Sequence, residues 1–255
     1  MKIQALIFDL DGTVAEISDL HRAAFNRAFA ENGLGWHWDR EIFSQLSPVK
    51  FALPKLRMFL VAARQSGHTH LPSLEQLARI ASDKARIFCQ DLQANAAPLR
   101  PGVARLIQEA RHEGLTLAAV STHSRAEAQT LLSVTLGFSS PSRFSSLKTS
   151  ENVGIAASES SLYQAVLRDL GLKGEKSLAL VDSASSEKAA RKNSISVIAT
   201  PGLYTSCNRF EAGTLVVSDL GQPAQPFTVL QGDAGQQSCI SPSMLQNMVS
   251  AKVAA

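Results

Sequence analysis

Cysteine is scarce in this chain: Cys89, Cys207 and Cys239 are far apart and show no CxxC spacing. That excludes a disulfide framework or a thiolate zinc site as the organising device. It also fits a reducing compartment, so the expected location is the cytoplasm, with the plastid stroma as an open alternative. Long apolar runs are missing as well. No stretch approaches the roughly 20 residues that a membrane helix needs, and no basic segment leads into an apolar one at the start, so no membrane partner is expected. Charge of one sign is not concentrated anywhere. Lys and Arg total 25 against 22 acidic residues, a net charge of +3, and without a basic run nucleic-acid binding has no support. Repeats and low-complexity tracts are absent too. What remains is 255 residues with 45% hydrophobic content, enough for one large domain or for a core plus a smaller unit, with a monomer expected.

Against these absences stands one dense stretch, MKIQALIFDLDGTVAE. The run Ala5-Leu6-Ile7-Phe8 carries no polar residue and reads as a buried strand. Asp9 and Asp11 follow at i, i+2 spacing, which projects both carboxylates from one side while the backbone stays extended. Gly12 then lets the chain turn. Like charges that close are uncomfortable without a cation or a shared proton between them. Mg²⁺, which takes one or two carboxylates plus waters and phosphate oxygens, is the matching ion. Taken alone, DLDGT also reads as a simple turn, since Asp, Gly and Thr are common turn residues.

Four more short apolar runs follow, LTLAAV at 115–120, LALV at 178–181, ISVIA at 195–199 and LVV at 215–217. Helical patterns separate most of them: VARLIQEARH at 103–112 places Val103, Leu106, Ile107 and Ala110 on one face, and segments 124–132 and 161–170 behave alike, Gly171 stopping the latter. Strands alternating with helices predict an α/β fold, a Rossmann-like doubly wound parallel sheet. About a hundred residues separate the first two strands, against the usual ~30 of one βαβ unit, and they are almost wholly helix-patterned. The expected organisation is a core of residues 1–16 and 95–255 with an all-helical domain, 17–94, spliced into it. The tail at 221–241, rich in Gln, Gly, Pro and Ser, reads as irregular, and 242–249 as a last short helix.

In a doubly wound sheet the chemistry sits outside the carboxyl ends of the strands. Those ends carry Asp9 and Asp11, then Ser121 and Thr122, then Asp182 and Ser183, then Thr200 and Pro201. With DxDGT after the first strand, Ser after the second and Asp-Ser after a later one, the chain resembles the haloacid dehalogenase superfamily, and the helical insertion resembles its C1 cap. LHRAAFNRAF, the W-x-W-D of Trp36 to Asp39, LRPG at 99–102 and TPGLYT at 200–205 narrow the likeness to CbbY-type sugar-phosphate phosphatases, over residues 1 to about 220. The resemblance implies a Mg²⁺-dependent phosphatase acting on a small phosphorylated metabolite. Asp9 would attack phosphorus and form an aspartyl phosphate. Asp11 would protonate the leaving alkoxide and then activate water, its backbone carbonyl reaching the metal. Ser121 would hydrogen-bond the transferring phosphoryl group, Asp182 would hold Mg²⁺ together with Asp9, and Glu16, His21 and Thr122 would meet the substrate.

The likeness breaks in places. In the register of Leu162-Tyr163, the family's lysine before the helix falls on Ala157, which removes a cation from beside the carboxylates. Lys148 is the candidate replacement, with Arg125 and Lys188 behind it. Val181 stands where an acid usually precedes Asp182, leaving Glu151 as a nearby acid. The glycine-rich basic cap segment of the family reads SPVKFALP at 47–54: Phe51 and Leu53 read as packing residues, and Lys50 as the one charge left for a second phosphate. Two alternatives therefore stand beside the phosphatase, an impaired paralogue that binds a phosphorylated metabolite or a partner protein, and a phosphomutase using the same Asp pair. Trp36 and Trp38 read as anchors of the cap core, with sugar stacking as the alternative. His123 reads either as a pocket residue or as an exposed turn residue.

Overall fold

A computed structural model describes residues 2–66, 71–137, 141–153 and 158–254. The chain opens with β1 (Ala5–Asp9) and then runs through four helices, α1 (Ser18–Glu31), α2 (Arg40–Leu46), α3 (Ala52–Gln65) and α4 (Leu74–Ala94). The rest alternates: α5 (Val103–His112), β2 (Thr116–Val120), α6 (Arg125–Leu136), β3 (Ser146–Lys148), α7 (Glu159–Leu170), β4 (Ser177–Val181), α8 (Ala184–Arg191) and β5 (Ser196–Ala199). It closes with β6 (Leu215–Val217), β7 (Val229–Gln231) and α9 (Pro242–Ala254).

The strands form one sheet in the order β3-β2-β1-β4-β5-β6-β7. Every pairing is parallel except β6 with β7. Strand order reverses beside β1, where the chain leaves towards β3 and returns through β4, so the crevice outside β1 and β4 is the place where this topology holds a ligand. All five residues of β1 are buried because both its faces are covered. Leu6 and Phe8 join one apolar cluster with Leu178 and Leu180, while Ile7 joins a second with Val120, Val181 and Tyr163. That two-sided burial is why these strands read as unbroken apolar runs.

Helix α4 is fixed at its start by a reciprocal cap between Ser73 and Gln76 and packs along α1 and α6. Trp36 and Trp38 are buried among Phe25, Phe29 and Phe59, the Phe25 and Trp38 rings lying 4.6 Å apart, so they anchor this helical segment. The tail at 221–241, expected to be irregular, contains β7. Its Val229 and Leu230 are exposed, and it is held by antiparallel pairing to β6 across a register shift, so no burial pattern marks it. None of the described helices is long and apolar enough to cross a membrane.

Candidate active site

Asp9 is the last residue of β1 and is 6% exposed. The chain beyond it stays tied to the neighbouring strand, Leu10 N–H donating to the Val120 carbonyl at 3.2 Å, and then turns back as Gly12 N–H donates to Ala15 at 2.9 Å. Gly12 has φ +71, and a Cβ there would fall 2.6 Å from Asp182 Oδ2. Only glycine both takes this backbone and lets the two loops close on each other. Beneath them the Arg100 guanidinium, the arginine of LRPG, donates to the carbonyls of Gly12, Thr200, Pro201 and Ser218, binding the loops after β1, β5 and β6 into one platform. Ser121, buried after β2, is set by its N–H donating to Lys148 O at 2.9 Å, and its Oγ accepts the His123 N–H at 3.2 Å. Asp182 follows β4, and Ser183 caps α8 behind it.

One half of the site is crowded with negative charge. Burial first, then the charges of Asp182 and Glu159, push the Asp9 carboxyl well above the usual range, with Lys50 pulling the other way. Asp182 is pushed up to about 6 by burial, which together with Glu159 and Asp11 outweighs Lys50 and the Ser183 hydrogen bond. Glu159, buried at the start of α7, accepts the Ser186 hydroxyl through Oε1 at 2.5 Å, and its Oε2 has no hydrogen-bond partner among the described residues. Lys50, on the loop between α2 and α3, donates to Ser183 Oγ at 3.2 Å. Burial works against its charge, but Glu159, Asp182, Asp9 and Asp11 together raise its pKa.

The expected replacement cation does not enter. Lys148 pairs with Asp169 at 2.5 Å, and the cation beside the carboxylates is Lys50. Ala157 lies outside the described residues. Glu151 is exposed and accepts the Arg125 N–H at 3.0 Å, so the acid facing Asp9 is Glu159. Glu16 was expected on the substrate. Instead its Oε1 accepts the Ser18 N–H at 3.2 Å and hydroxyl at 2.6 Å, and its Oε2 accepts the Leu203 N–H at 2.7 Å. It ties the entry of α1 to the loop after β5.

The other half is built on imidazoles. Asp11 Oδ2 lies 2.7 Å from His123 Nε2, and its Oδ1 lies 3.7 Å from His21 Nε2. The two rings stack at 3.8 Å, and His21 stacks on Phe88 at 4.0 Å on its far side. Behind them the fully buried Lys84 places Nζ 2.7 Å from His21 Nδ1, 3.2 Å from His123 Nδ1 and 2.6 Å from Glu127 Oε1. An ammonium only donates, so both Nδ1 atoms accept and both imidazoles turn an Nε2–H towards Asp11. Burial would raise the Asp11 carboxyl, but the neighbouring imidazoles, His123 first and then His21, bring it well below its usual range. His21 itself is lowered to about 3 by burial, then by His123 and Lys84, and is neutral.

Ligand atoms of Asp11, His21 and His123 lie within 4.8 Å of one another, yet this trio is a poor metal site. A metal-bound imidazole keeps its proton on the far nitrogen and needs an acceptor there, and here that side faces an ammonium. The oxygen-only set fits Mg²⁺ better: among the described residues three buried carboxylates, Asp9, Asp182 and Glu159, face the ammonium of Lys50, an excess of negative charge suited to a hard divalent ion. Beside them is a crevice of about 80 Å³ lined by Asp11, His21, Lys50, Lys55, Thr122 and Asp182, among others. Lys55 is lowered to about 7 by burial and then by Lys50 and Lys84.

Sequence reasoning missed Lys84, Glu127 and Lys55. Lys84 had a signal: it occupies the buried stripe of Leu77, Ile80, Ile87 and Phe88, where the helical period calls for an apolar residue.

A doubly wound sheet with paired acids after its first strand, Ser after its second and Asp after its fourth defines a class. Residues 3–192 match the family model of haloacid dehalogenase-like hydrolases, and the chain belongs to that family. Within it the chain is similar to CbbY. It is 36% identical to the plasmid CbbY protein of Cupriavidus necator over 225 residues, 88% of this chain and 89% of that one. The crystal structure of CbbY from Rhodobacter sphaeroides in complex with phosphate matches with a TM-score of 0.78 at 31% identity, covering 85% of this chain and 94% of that one. A mutant of that protein in complex with xylulose-(1,5)bisphosphate matches at 0.79 and 30% identity, covering 87% and 98%.

Proposed function

We propose that the chain is a Mg²⁺-dependent phosphatase of a small phosphorylated sugar, working through an aspartyl phosphate on Asp9, with residues 17–94 as a cap over the strand ends. The observation that supports this most strongly is the convergence of Asp9, Asp11, Ser121 and Asp182 outside β1, β2 and β4. An Asp9 oxygen attacks phosphorus and the P–O bond to the substrate breaks, while Asp11 gives its proton to the departing alkoxide. Asp11 then takes a proton from water, whose oxygen attacks phosphorus and releases phosphate and the Asp9 carboxylate. The His123 N–H orients one Asp11 oxygen throughout. In the free site the imidazoles keep Asp11 ionised, and the negative charge of a bound phosphate ester works against that form, favouring the protonated acid the first step needs. Ser121 donates to a phosphoryl oxygen. When bound by Asp9, Asp182 and the Asp11 carbonyl, Mg²⁺ supplies charge neutralisation for the loose phosphoryl transition state.

The likeness to a CbbY carrying xylulose-(1,5)bisphosphate makes pentose phosphates and bisphosphates the first esters to try. Lys55 lines the crevice and has no carboxylate hydrogen-bonded to it among the described residues, so it suits a second anionic group on the substrate. Phosphate release from an ester panel tests the reading: wild type should turn over at a rate within the usual range of about 1 to 10³ s⁻¹ and Asp9→Asn should not. Turnover that survives in Asp9→Asn defeats this mechanism, and tight phosphate binding without turnover would favour the impaired paralogue.

A further inference from the structure

We infer that Lys50 is a catalytic cation supplied by the helical insertion, so that the charge balance of the active site is completed only when the loop between α2 and α3 is seated on the sheet. The inference rests on the phosphatase reading above and assigns one more residue to it.

Two adjacent residues grip the catalytic face. Lys50 donates to Ser183, the residue after Asp182, and Phe51 packs against the core cluster that contains Val120, Tyr163 and Val181. Phe51 holds φ 67, a left-handed backbone that is costly for a residue with a bulky side chain and persists only where the surroundings enforce it. This bend leads directly into α3 and immediately follows the lysine that reaches Ser183. Other cations near the strand ends are engaged elsewhere: Arg100 with four loop carbonyls, Lys84 with Glu127 and two imidazoles, Lys148 with Asp169, while Lys55, which lines the same crevice, stands over the Phe43 ring at 4.6 Å. Lys50 is thus the ammonium facing Asp9, Asp182 and Glu159. A phosphoryl group on Asp9 adds negative charge to the same space, and Lys50 is placed to meet it. Lys50 keeps its proton and forms no covalent bond; it acts by charge and by hydrogen bonding to the transferring group.

A cation on the insertion has a consequence that a core lysine lacks, because any movement of the insertion away from the sheet would withdraw it. Chemistry would then be confined to the arrangement in which Lys50 reaches Ser183.

The test uses the full chain with Mg²⁺ and acetyl phosphate, a substrate with no second anionic group. Lys50→Met should lower kcat by roughly 10²-fold or more and weaken binding of inorganic phosphate, read by calorimetry, by roughly tenfold. Lys50→Arg should recover part of both, and Lys148→Met should match wild type. Equal melting temperatures establish that Lys50→Met is folded. The inference is overturned if Lys50→Met keeps kcat on acetyl phosphate and loses only activity on a sugar bisphosphate, since Lys50 then serves the distal group. It is also overturned if the variant binds Mg²⁺ more tightly and turns over faster, since Lys50 then competes for the metal position. Should wild type turn over neither acetyl phosphate nor any ester of the panel, the phosphatase reading fails separately. The phosphate titration still decides Lys50: weaker binding in the variant supports a cation at the phosphoryl position, and unchanged binding refutes it.

Discussion

Asp9 and Asp11 are two residues apart and carry the same side chain, yet the protein places them in opposite electrostatic surroundings. Asp9 sits with Asp182 and Glu159, and burial and their charges drive its pKa up. Asp11 faces the Nε2 edges of two stacked imidazoles backed by Lys84 and Glu127, and its pKa is driven down. The i, i+2 spacing delivers both carboxylates to one crevice, but the neighbours contributed by other elements assign the roles. One half needs a cation; the other holds a carboxylate ready to exchange a proton.

Breaking the first half should have the largest effect. Asp9→Asn keeps the shape and removes the nucleophile, so kcat on any substrate should fall by roughly 10⁴-fold or more, measured as phosphate release, with thermal stability preserved or raised because a buried charge is gone.

The second half is broken from behind. Glu127→Gln leaves Lys84 charged, buried and short of its counter-ion, which should cost about 3 kcal/mol or more in denaturant unfolding. The double variant Lys84→Met, Glu127→Leu should regain most of that stability while losing the fixed imidazole orientation, and with it kcat.

A pH titration sharpens the contrast. Asp182 is held at about 6, above the unfolded value of about 3.9, so the folded, metal-free protein binds the extra proton. The resulting stabilisation is fully present below the unfolded pKa and is lost as pH rises through about 6. Relative to Asp182→Asn, metal-free wild type should therefore lose roughly 1 kcal/mol per pH unit between pH 4 and 6, and Mg²⁺ should reverse the loss above pH 6. A flat difference curve would contradict the crowding of carboxylates around Asp9.

The smallest effect belongs to Lys148. Its ion pair with Asp169 is partly exposed, so Lys148→Met should change stability by no more than about 1 kcal/mol and leave kcat/KM within roughly twofold, since it touches neither half.

The strand ends were legible because β1, β2 and β4 are buried on both faces and so appear as apolar runs, each stopping at a polar residue in the crevice. Gly12 was legible as a turn, though its approach to Asp182 was not. The partners of the cations were hidden for a different reason. Lys50 stood out in the segment at 47–54 as a charge for a second phosphate, but its contact with Ser183 beside Asp182 follows a backbone turn at Phe51 that no periodicity encodes. Glu127 closes the cap of α6 with Ser124 through one oxygen, and its other oxygen serves Lys84 from another helix. Short-range pattern locates the acids; long-range packing chooses their counter-charges.

The most direct test is to quench the enzyme with acid during turnover and map the phosphorylated peptide by mass spectrometry. A phosphoryl group on Asp9, absent from Asp9→Asn, is the predicted result. Turnover with Asp9 unmodified, or with the phosphoryl group on another side chain, would contradict the account.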